Sequence, residues 1–294
     1  MQQGKIYKIM ANQYDICCDN GQVVRATARG RFRKEGITPK VGDECKVIFD
    51  CDGSGMISEL MPRKNELLRP PVANIDQLLI VFAPCSPQPD LLLVDLLICY
   101  ARNMGIHVIV CVNKTDLDET RALELSEQYE NLSDVKVRRI STVSGMGIEK
   151  LREELTGCVS CVAGQSAVGK SSLIQVLVPD HEIKTGELSA KTDRGRHTTR
   201  HCELISLHNG GFIVDTPGFS MLQQIQLSPE QFRSLYYEFE PYEGGCRFRG
   251  CSHLDEPDCE VKRAVERVEI SRERYERYCK LFKVVTENWR KRYD

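Results

Sequence analysis

The chain has 294 residues, of which 41% are apolar and 28% charged, and a formal net charge of -2. That length exceeds one average domain, and that composition excludes a disordered or fibrous chain, so a soluble protein of two or three domains is expected. No apolar run approaches the ~18 to 20 residues that cross a bilayer and Met1-Gln2-Gln3-Gly4-Lys5 does not open a signal peptide, so no membrane partner is expected and the cytoplasm is the expected compartment.

Residues 4 to 60 hold five short β-rich runs between turn signals: Lys5 to Met10, Tyr14 to Cys18, Val23 to Arg29, Glu44 to Phe49 and Met56 to Leu60. Five regularly spaced strands predict a small OB-type barrel, a fold whose faces often bind oligonucleotides. Residues 1 to 69 carry a net charge of +3, with Arg25, Arg29, Arg31, Arg33 and Lys34 gathered around the third strand and the loop after it. Such a face suits a polyanion such as RNA. Pro62 and Pro70-Pro71 read as a linker.

From about residue 72 apolar strands alternate with helices, the pattern of a parallel sheet. The predicted strands are Leu78 to Ala83, His107 to Val112, Val135 to Ile140 and Cys158 to Ala163, and Asp90 to Met104 and Asp118 to Asn131 read as helices. The second strand runs into Asn113-Lys114-Thr115-Asp116, at the edge where α/β sheets bind ligands. A carboxylate at Asp116 only accepts hydrogen bonds, so it suits the N1-H and exocyclic N-H of guanine and is repelled by the adenine N1 acceptor. Ser141-Thr142-Val143-Ser144-Gly145, after the third strand, offers backbone N-H groups for guanine O6.

The fourth strand leads into Gly164-Gln165-Ser166-Ala167-Val168-Gly169-Lys170-Ser171, the G-x-x-x-x-G-K-[ST] spacing of a phosphate-cradling loop, and Ser172 carries it on into a helix, Lys170 to Leu177. There backbone N-H groups and the positive helix end converge on phosphate oxygens, with Lys170 along the β/γ-phosphates and Ser171 on Mg2+. Cys158 and Cys161 form a C-x-x-C, but three residues apart on a strand they face opposite sides and serve packing. A polar stretch, Lys184 to Arg200, follows, in which Thr199 is the second hydroxyl expected on Mg2+. Cys202 to Leu207 and Gly211 to Asp215 flank the hairpin signal His208-Asn209-Gly210. In Asp215-Thr216-Pro217-Gly218, the carboxylate is expected in the Mg2+ shell and the Gly218 N-H at the γ-phosphate.

The chain holds 14 cysteines, and in a reducing compartment these point to metal binding and buried thiols rather than disulfides. Cys246, Cys251, His253 and Cys259, spaced C-x4-C-x-H-x5-C, suit a closed tetrahedral zinc site whose role is structural. Asp258 to Arg292 reads as a long charged helical region, docked by the stripe Tyr275, Tyr278 and Phe282, with its charged back in solvent. RNA contact by Arg290-Lys291-Arg292 is a secondary reading.

The guanine-reading tetrapeptide thus stands about fifty residues before the phosphate loop, the reverse of the usual order. A parallel sheet keeps its geometry when old ends are joined and new ones opened at an exposed loop, so the order predicts a circularly permuted GTPase. The expected architecture is α/β: an OB-fold barrel in residues 1-69, a permuted P-loop GTPase domain in 70-222 and a mostly helical zinc-binding domain in 223-294. Phe219 stands where many GTPases carry a water-orienting Gln, so intrinsic hydrolysis should be at or below ~10⁻⁴ s⁻¹.

The order NKTD, STVSG, GQSAVGKS, GRHTTR, DTPG, with a barrel in front and a Cys/His cluster behind, resembles the ribosome small-subunit-dependent GTPase A (RsgA) family over essentially the whole chain. Thr142, where the family often has Ala, and Ala167 in the phosphate loop are departures that leave nucleotide binding intact. The resemblance implies GTP hydrolysis, stimulated by the small ribosomal subunit, during late maturation of that subunit. It also implies one structural Zn2+, Mg2+ with GTP, contact with ribosomal RNA, and a catalytic role for His197, whose other reading is contact with RNA or solvent. A monomer is expected. Two rival classes stay open: an RNA-binding assembly factor that uses nucleotide structurally, and a permuted GTPase with a non-ribosomal partner.

Overall fold

The computed structural model describes all residues except Arg31, Arg33, Lys34, 50-53, 68-69, 181-202, Asn209, 216-226 and 292-294, and for Asp215 the backbone alone. His197, Thr199, Gly218 and Phe219 therefore lie outside the described residues.

The five predicted N-terminal strands form: β1 (Gln2–Met10), β2 (Gln13–Cys18), β3 (Val23–Ala28), β4 (Glu44–Phe49) and β5 (Gly55–Leu60). They close into a barrel in the order β1-β2-β3-β5-β4. Alternate residues point inward, so Ile6, Ile16, Val24, Ala26, Cys45, Val47 and Ile57 make an apolar core. The register places Ile16 opposite both Ile6 and Val24, and β3 and β5 run parallel where the barrel closes. Of the basic face, Arg25 is already paired with Asp15 at 2.8 Å, though its side chain stays 64% exposed and open to a further partner.

Among the described residues the remaining strands are β6 (Gln77–Phe82), β7 (His107–Val112), β8 (Val135–Arg139), β9 (Val159–Ala163), β10 (Leu204–Ser206) and β11 (Phe212–Asp215), in the sheet order β10-β11-β9-β6-β7-β8. β7 runs parallel to β8 and β11 parallel to β9, whereas the β10-β11 hairpin is antiparallel. Helices α1 (Leu91–Asn103), α2 (Glu119–Glu130), α3 (Ile148–Glu154) and α4 (Lys170–Leu177) belong to the same region. Beyond it lie α5 (Pro229–Ser234), α6 (Glu240–Glu243), α7 (Glu260–Glu266) and α8 (Arg272–Arg290).

The chain divides into two compact units, residues 1-78 with 148-162 and 170-219, and residues 79-147 with 163-169 and 220-294. In the first, Asp76 accepts from Lys64 Nζ at 2.7 Å and from the Val159 N-H at 2.8 Å, while Gln77 donates to Ser160 Oγ at 2.9 Å. Lys8 of β1 forms an ion pair with Glu203 just before β10 at 2.5 Å. No described helix is long and apolar enough to cross a membrane.

In the second unit, Phe232, Tyr236, Phe239, Tyr278, Leu281 and Phe282 pack with Leu96 and Cys99 of α1. The expected aromatic stripe does dock, with Tyr278 and Phe282 buried and Tyr275 partly so. Two features differ from expectation. The C-terminal helical region breaks between α7 and α8, where Val268 adopts φ 62° and Ser271 caps the new helix by accepting from the Arg274 N-H. The charged back is also not all in solvent, because Arg274 and Arg277 are buried. Both donate to the fully buried Asp95 of α1, Arg274 Nη1 at 2.7 Å and Arg277 Nε at 2.6 Å. Arg274 also pairs with Glu238, which Arg102 meets at 3.3 Å, and Arg102 holds Asp134 at 2.7 Å. Burial opposes the charge on Arg274, but the nearby Asp95 and Glu238 outweigh it and hold its pKa above the ordinary arginine value.

Candidate nucleotide site and metal centre

The tetrapeptide after β7 and the loop after β9 meet. Asn113 is fully buried, its backbone N-H donating to Phe82 O at 2.8 Å and its Nδ2 to Val168 O at 2.9 Å. Lys114, in the left-handed region at φ 60°, turns its amine onto Ala167 O and Ser86 O, each at 2.8 Å. Two side chains of one motif thus hold two carbonyls of the other. Ala167 itself takes φ 64°, a conformation that glycine adopts more cheaply, which locates its departure from the family pattern at a mildly strained position.

Two glycines are required by contact as well as by backbone angle. At Gly164 (φ 140°) a Cβ would lie 2.0 Å from Val81 O, and at Gly169 (φ 96°) it would lie 2.4 Å from Asn113 Nδ2. Gln165 reaches the start of α1, accepting from the Asp90 N-H at 3.2 Å. Ser166 is exposed, Lys170 opens α4, and Ser171 and Ser172 are exposed in its first turn.

On the base side, Thr115 Oγ1 donates to Ile140 O at 3.0 Å, and the Ser141 hydroxyl donates to Asp116 Oδ1. That bond orients the exposed Asp116 carboxylate while leaving its second oxygen as an acceptor. The N-H of Thr142 donates to Asn113 Oδ1 at 3.3 Å, those of Val143 and Ser144 to Ser141 Oγ at 3.3 and 3.1 Å, and that of Gly145 to Ser141 O at 2.9 Å. These four backbone N-H groups are thus already paired within the loop, which the sequence did not reveal. Asp215 ends β11.

In the Cys/His cluster the four ligand atoms all lie within 4.8 Å of one another. Cys246 Sγ is 3.9 Å from Cys259 Sγ, and His253 Nδ1 is 3.4 Å from Cys259 Sγ and 3.7 Å from Cys246 Sγ. A tetrahedron with Zn-S bonds of ~2.3 Å has S···S edges of about 3.8 Å, so the donor set fits Zn2+ in kind and spacing. His253 turns Nε2 toward Glu243 Oε1 at 3.4 Å, the outer carboxylate that commonly fixes a ligand imidazole. Burial lowers the His253 pKa against the opposing pull of Glu243, which keeps the ring neutral and Nδ1 free to coordinate. Burial also pushes the Cys251 thiol up to about 12, so metal binding there must displace protons. The frame is tied to α8 by Tyr275 and Tyr278, whose hydroxyls donate to His253 O and Ser252 O at 2.6 and 2.7 Å. Sequence reading missed Glu243 and these tyrosine bonds, since neither has a local motif. Cys18, Cys45, Cys99, Cys111 and Cys161 are buried and unbridged, as expected of packing thiols.

Comparisons with known proteins agree with this geometry. The RsgA GTPase family pattern matches residues 60–225 and the RsgA N-terminal domain pattern matches residues 3–57. The chain is 42% identical to the small ribosomal subunit biogenesis GTPase RsgA of Caldanaerobacter subterraneus, over 99% of this chain and 98% of that one. It is 41% identical to the protein of the same name from Bacillus cereus, over 95% of each. Among solved structures, YjeQ from Thermotoga maritima superposes with a TM-score of 0.86 at 34% identity, covering 97% of this chain and 98% of that one. YloQ, described as a circularly permuted GTPase, gives 0.83 at 32% identity, covering 98% and 96%. With its phosphate loop gripped by a guanine-type motif that precedes it in sequence, and with relatives matched end to end, this chain belongs to the RsgA GTPase family.

Proposed function

We propose that this protein hydrolyses GTP while bound to the small ribosomal subunit, late in that subunit's maturation, and that the subunit stimulates the reaction. The observation that supports this reading is the grip of Asn113 and Lys114 on the carbonyls of Val168 and Ala167, which holds the tetrapeptide against the loop after β9, as a shared nucleotide would require. Asp116, oriented by Ser141, accepts from the guanine edge, and Asn113 and Thr115 hold that loop in place. Gly164 to Gly169 wrap the phosphates. Lys170 offsets charge on the β/γ oxygens, and Ser171, Thr199 and Asp215 are the proposed Mg2+ contacts. When bound, Mg2+ neutralises charge that develops between the β- and γ-phosphates. With Phe219 unable to orient water, His197 is assigned that role, and the slow intrinsic rate leaves room for stimulation by the partner.

The same reading assigns residues 1-69 to an RNA-binding barrel, 70-222 to the GTPase domain and 223-294 to a zinc-binding domain, in a cytoplasmic monomer. Cys246, Cys251, His253 and Cys259 hold one Zn2+ that shapes the loop without an open coordination position. The names carried by the relatives support the ribosomal partner. Co-sedimentation with purified small subunits in the presence of a non-hydrolysable GTP analogue tests the partner, and single-turnover hydrolysis with and without subunits tests the stimulation. Equal hydrolysis in both, or no co-sedimentation, overturns the reading.

A further inference from the structure

Between the ligands Cys246 and Cys251 the chain reads Arg247-Phe248-Arg249-Gly250, and all four residues are exposed. Phe248 keeps 45% of its surface in water. Burying such a ring would gain about 1.5 to 3 kcal/mol, so its exposure stands out in a loop so firmly fixed. The loop is indeed fixed at both ends. The Arg247 N-H donates to Asp258 O at 3.2 Å, the Cys251 N-H to Phe248 O at 3.3 Å, and Arg233 Nη1 to Cys251 O at 2.8 Å. Gly250 takes φ 73°, which closes the turn.

The charges around the ring are unequal. The Arg247 guanidinium lies 5.5 Å from the Phe248 centroid and pairs with Asp258 at 3.2 Å, an acid that Arg263 shares at 3.1 Å. Glu243 is occupied by Arg233 and by His253. Arg249 has no acidic partner among the described residues. Beside the loop opens a cleft of about 390 Å³ lined by Arg233, Glu243, Arg247, Phe248 and Arg249.

We propose that this knuckle loop is a stacking site for an unpaired nucleotide of RNA, with Phe248 as the platform for the base and Arg249 and Arg247 on the flanking phosphates. The inference rests on the ribosomal reading above and specifies how the metal centre serves it. An aromatic ring between cations is the recurring device for single-stranded RNA, since every base has a π-face and every linkage a charge. A protein partner is less well suited, because the loop offers one exposed apolar side chain where an interface core needs a cluster.

The test uses full-length, zinc-loaded protein carrying Phe248→Leu, Phe248→Trp or Arg249→Gln, with two probes, purified small subunits and an unstructured RNA oligonucleotide. Basal GTPase rate and equimolar zinc content serve as controls for folding. Phe248→Leu should weaken binding to both probes about 5- to 150-fold, the range for removing one stacked base, whereas Phe248→Trp should retain it. Arg249→Gln should reduce the slope of log affinity against log salt by about one, a slope that Phe248→Leu leaves alone. Wild-type affinity in Phe248→Leu overturns the inference and leaves the ribosomal reading standing, as does equal weakening by Leu and Trp. Dependence on Phe248 for subunits but not for the oligonucleotide also overturns it, in favour of a protein contact. Failure of the wild type to bind subunits, with oligonucleotide binding that still depends on Phe248, overturns the ribosomal reading and supports the stacking site.

Discussion

Replacing Asp95 by Asn removes the carboxylate that Arg274 and Arg277 share. Asp95 is 0% exposed, and the two arginine side chains are 2% and 9% exposed, so water cannot take over the lost charge. Removing one partner of a buried ion pair typically costs about 3 to 5 kcal/mol, much of it the price of the stranded charge. Glu238 still faces Arg274, and Gln128 Oε1 still accepts from Arg277 at 3.0 Å, so the lower end, about 3 kcal/mol, applies. At roughly 2 to 4 °C per kcal/mol for a unit of this size, the melting point should fall by about 6 to 12 °C. Trp289, the single tryptophan, lies on α8 in the same compact unit, so its fluorescence in urea reports the transition that Asp95 supports. Glu124→Gln is the control, since the Arg121 and Glu124 side chains are 49% and 55% exposed and such pairs contribute at most about 1 kcal/mol. If Asp95→Asn unfolds within about 0.5 kcal/mol of the wild type, the network does not hold α8 to α1 and the argument from burial fails.

Other expectations concern the two sites. Asp116→Asn should weaken GTP by about 100-fold or more and favour xanthosine nucleotides, because an amide can donate where xanthine carries a carbonyl; calorimetry with both nucleotides checks this. Gly169→Ala drives a Cβ to 2.4 Å from Asn113 Nδ2 and is strained at φ 96°, so nucleotide affinity should drop at least about tenfold while the far-UV spectrum is kept. Wild-type affinity in that variant would contradict the motif-to-motif grip. Cys251→Ser, or a strong chelator, should release the zinc and lower the midpoint of the Trp289 transition while leaving guanine binding in place below that midpoint, as followed by metal analysis and fluorescence. Glu256 carries opposing influences: burial raises its pKa, but bonds from the Ser252 hydroxyl and N-H and from the Leu254 N-H prevail and bring it to about 2. Its stabilising effect is therefore complete above the ordinary glutamate value of 4.5 and is lost as pH falls toward 2. Glu256→Gln should flatten that part of the acid-unfolding profile, and an unchanged profile would refute the assignment.

Much of the candidate site was legible because its parts are contiguous. Asn113-Lys114-Thr115-Asp116 and Gly164 to Ser171 are short contiguous motifs, and Cys246, Cys251, His253 and Cys259 fall within fourteen residues. The barrel strands were legible for a similar reason, since short β-rich runs bounded by turn residues are a local signal. The reading of Asp258 to Arg292 as a helical region held, but the break at Val268, with its φ of 62°, carries no local signal.

Residue order alone thus carries the motifs that point to each ligand class, the reversed succession of the loops and the strands that precede them. The tertiary structure alone decided which groups meet. Arg274 read as a solvated helix charge because its partner Asp95 lies 179 residues away, and only packing brings them to 2.7 Å. The grip of Lys114 on Ala167 O spans 53 residues and depends on a left-handed backbone turn. Short-range patterns write themselves into neighbouring residues, whereas pairings between distant ones are set by burial, which a linear chain does not display.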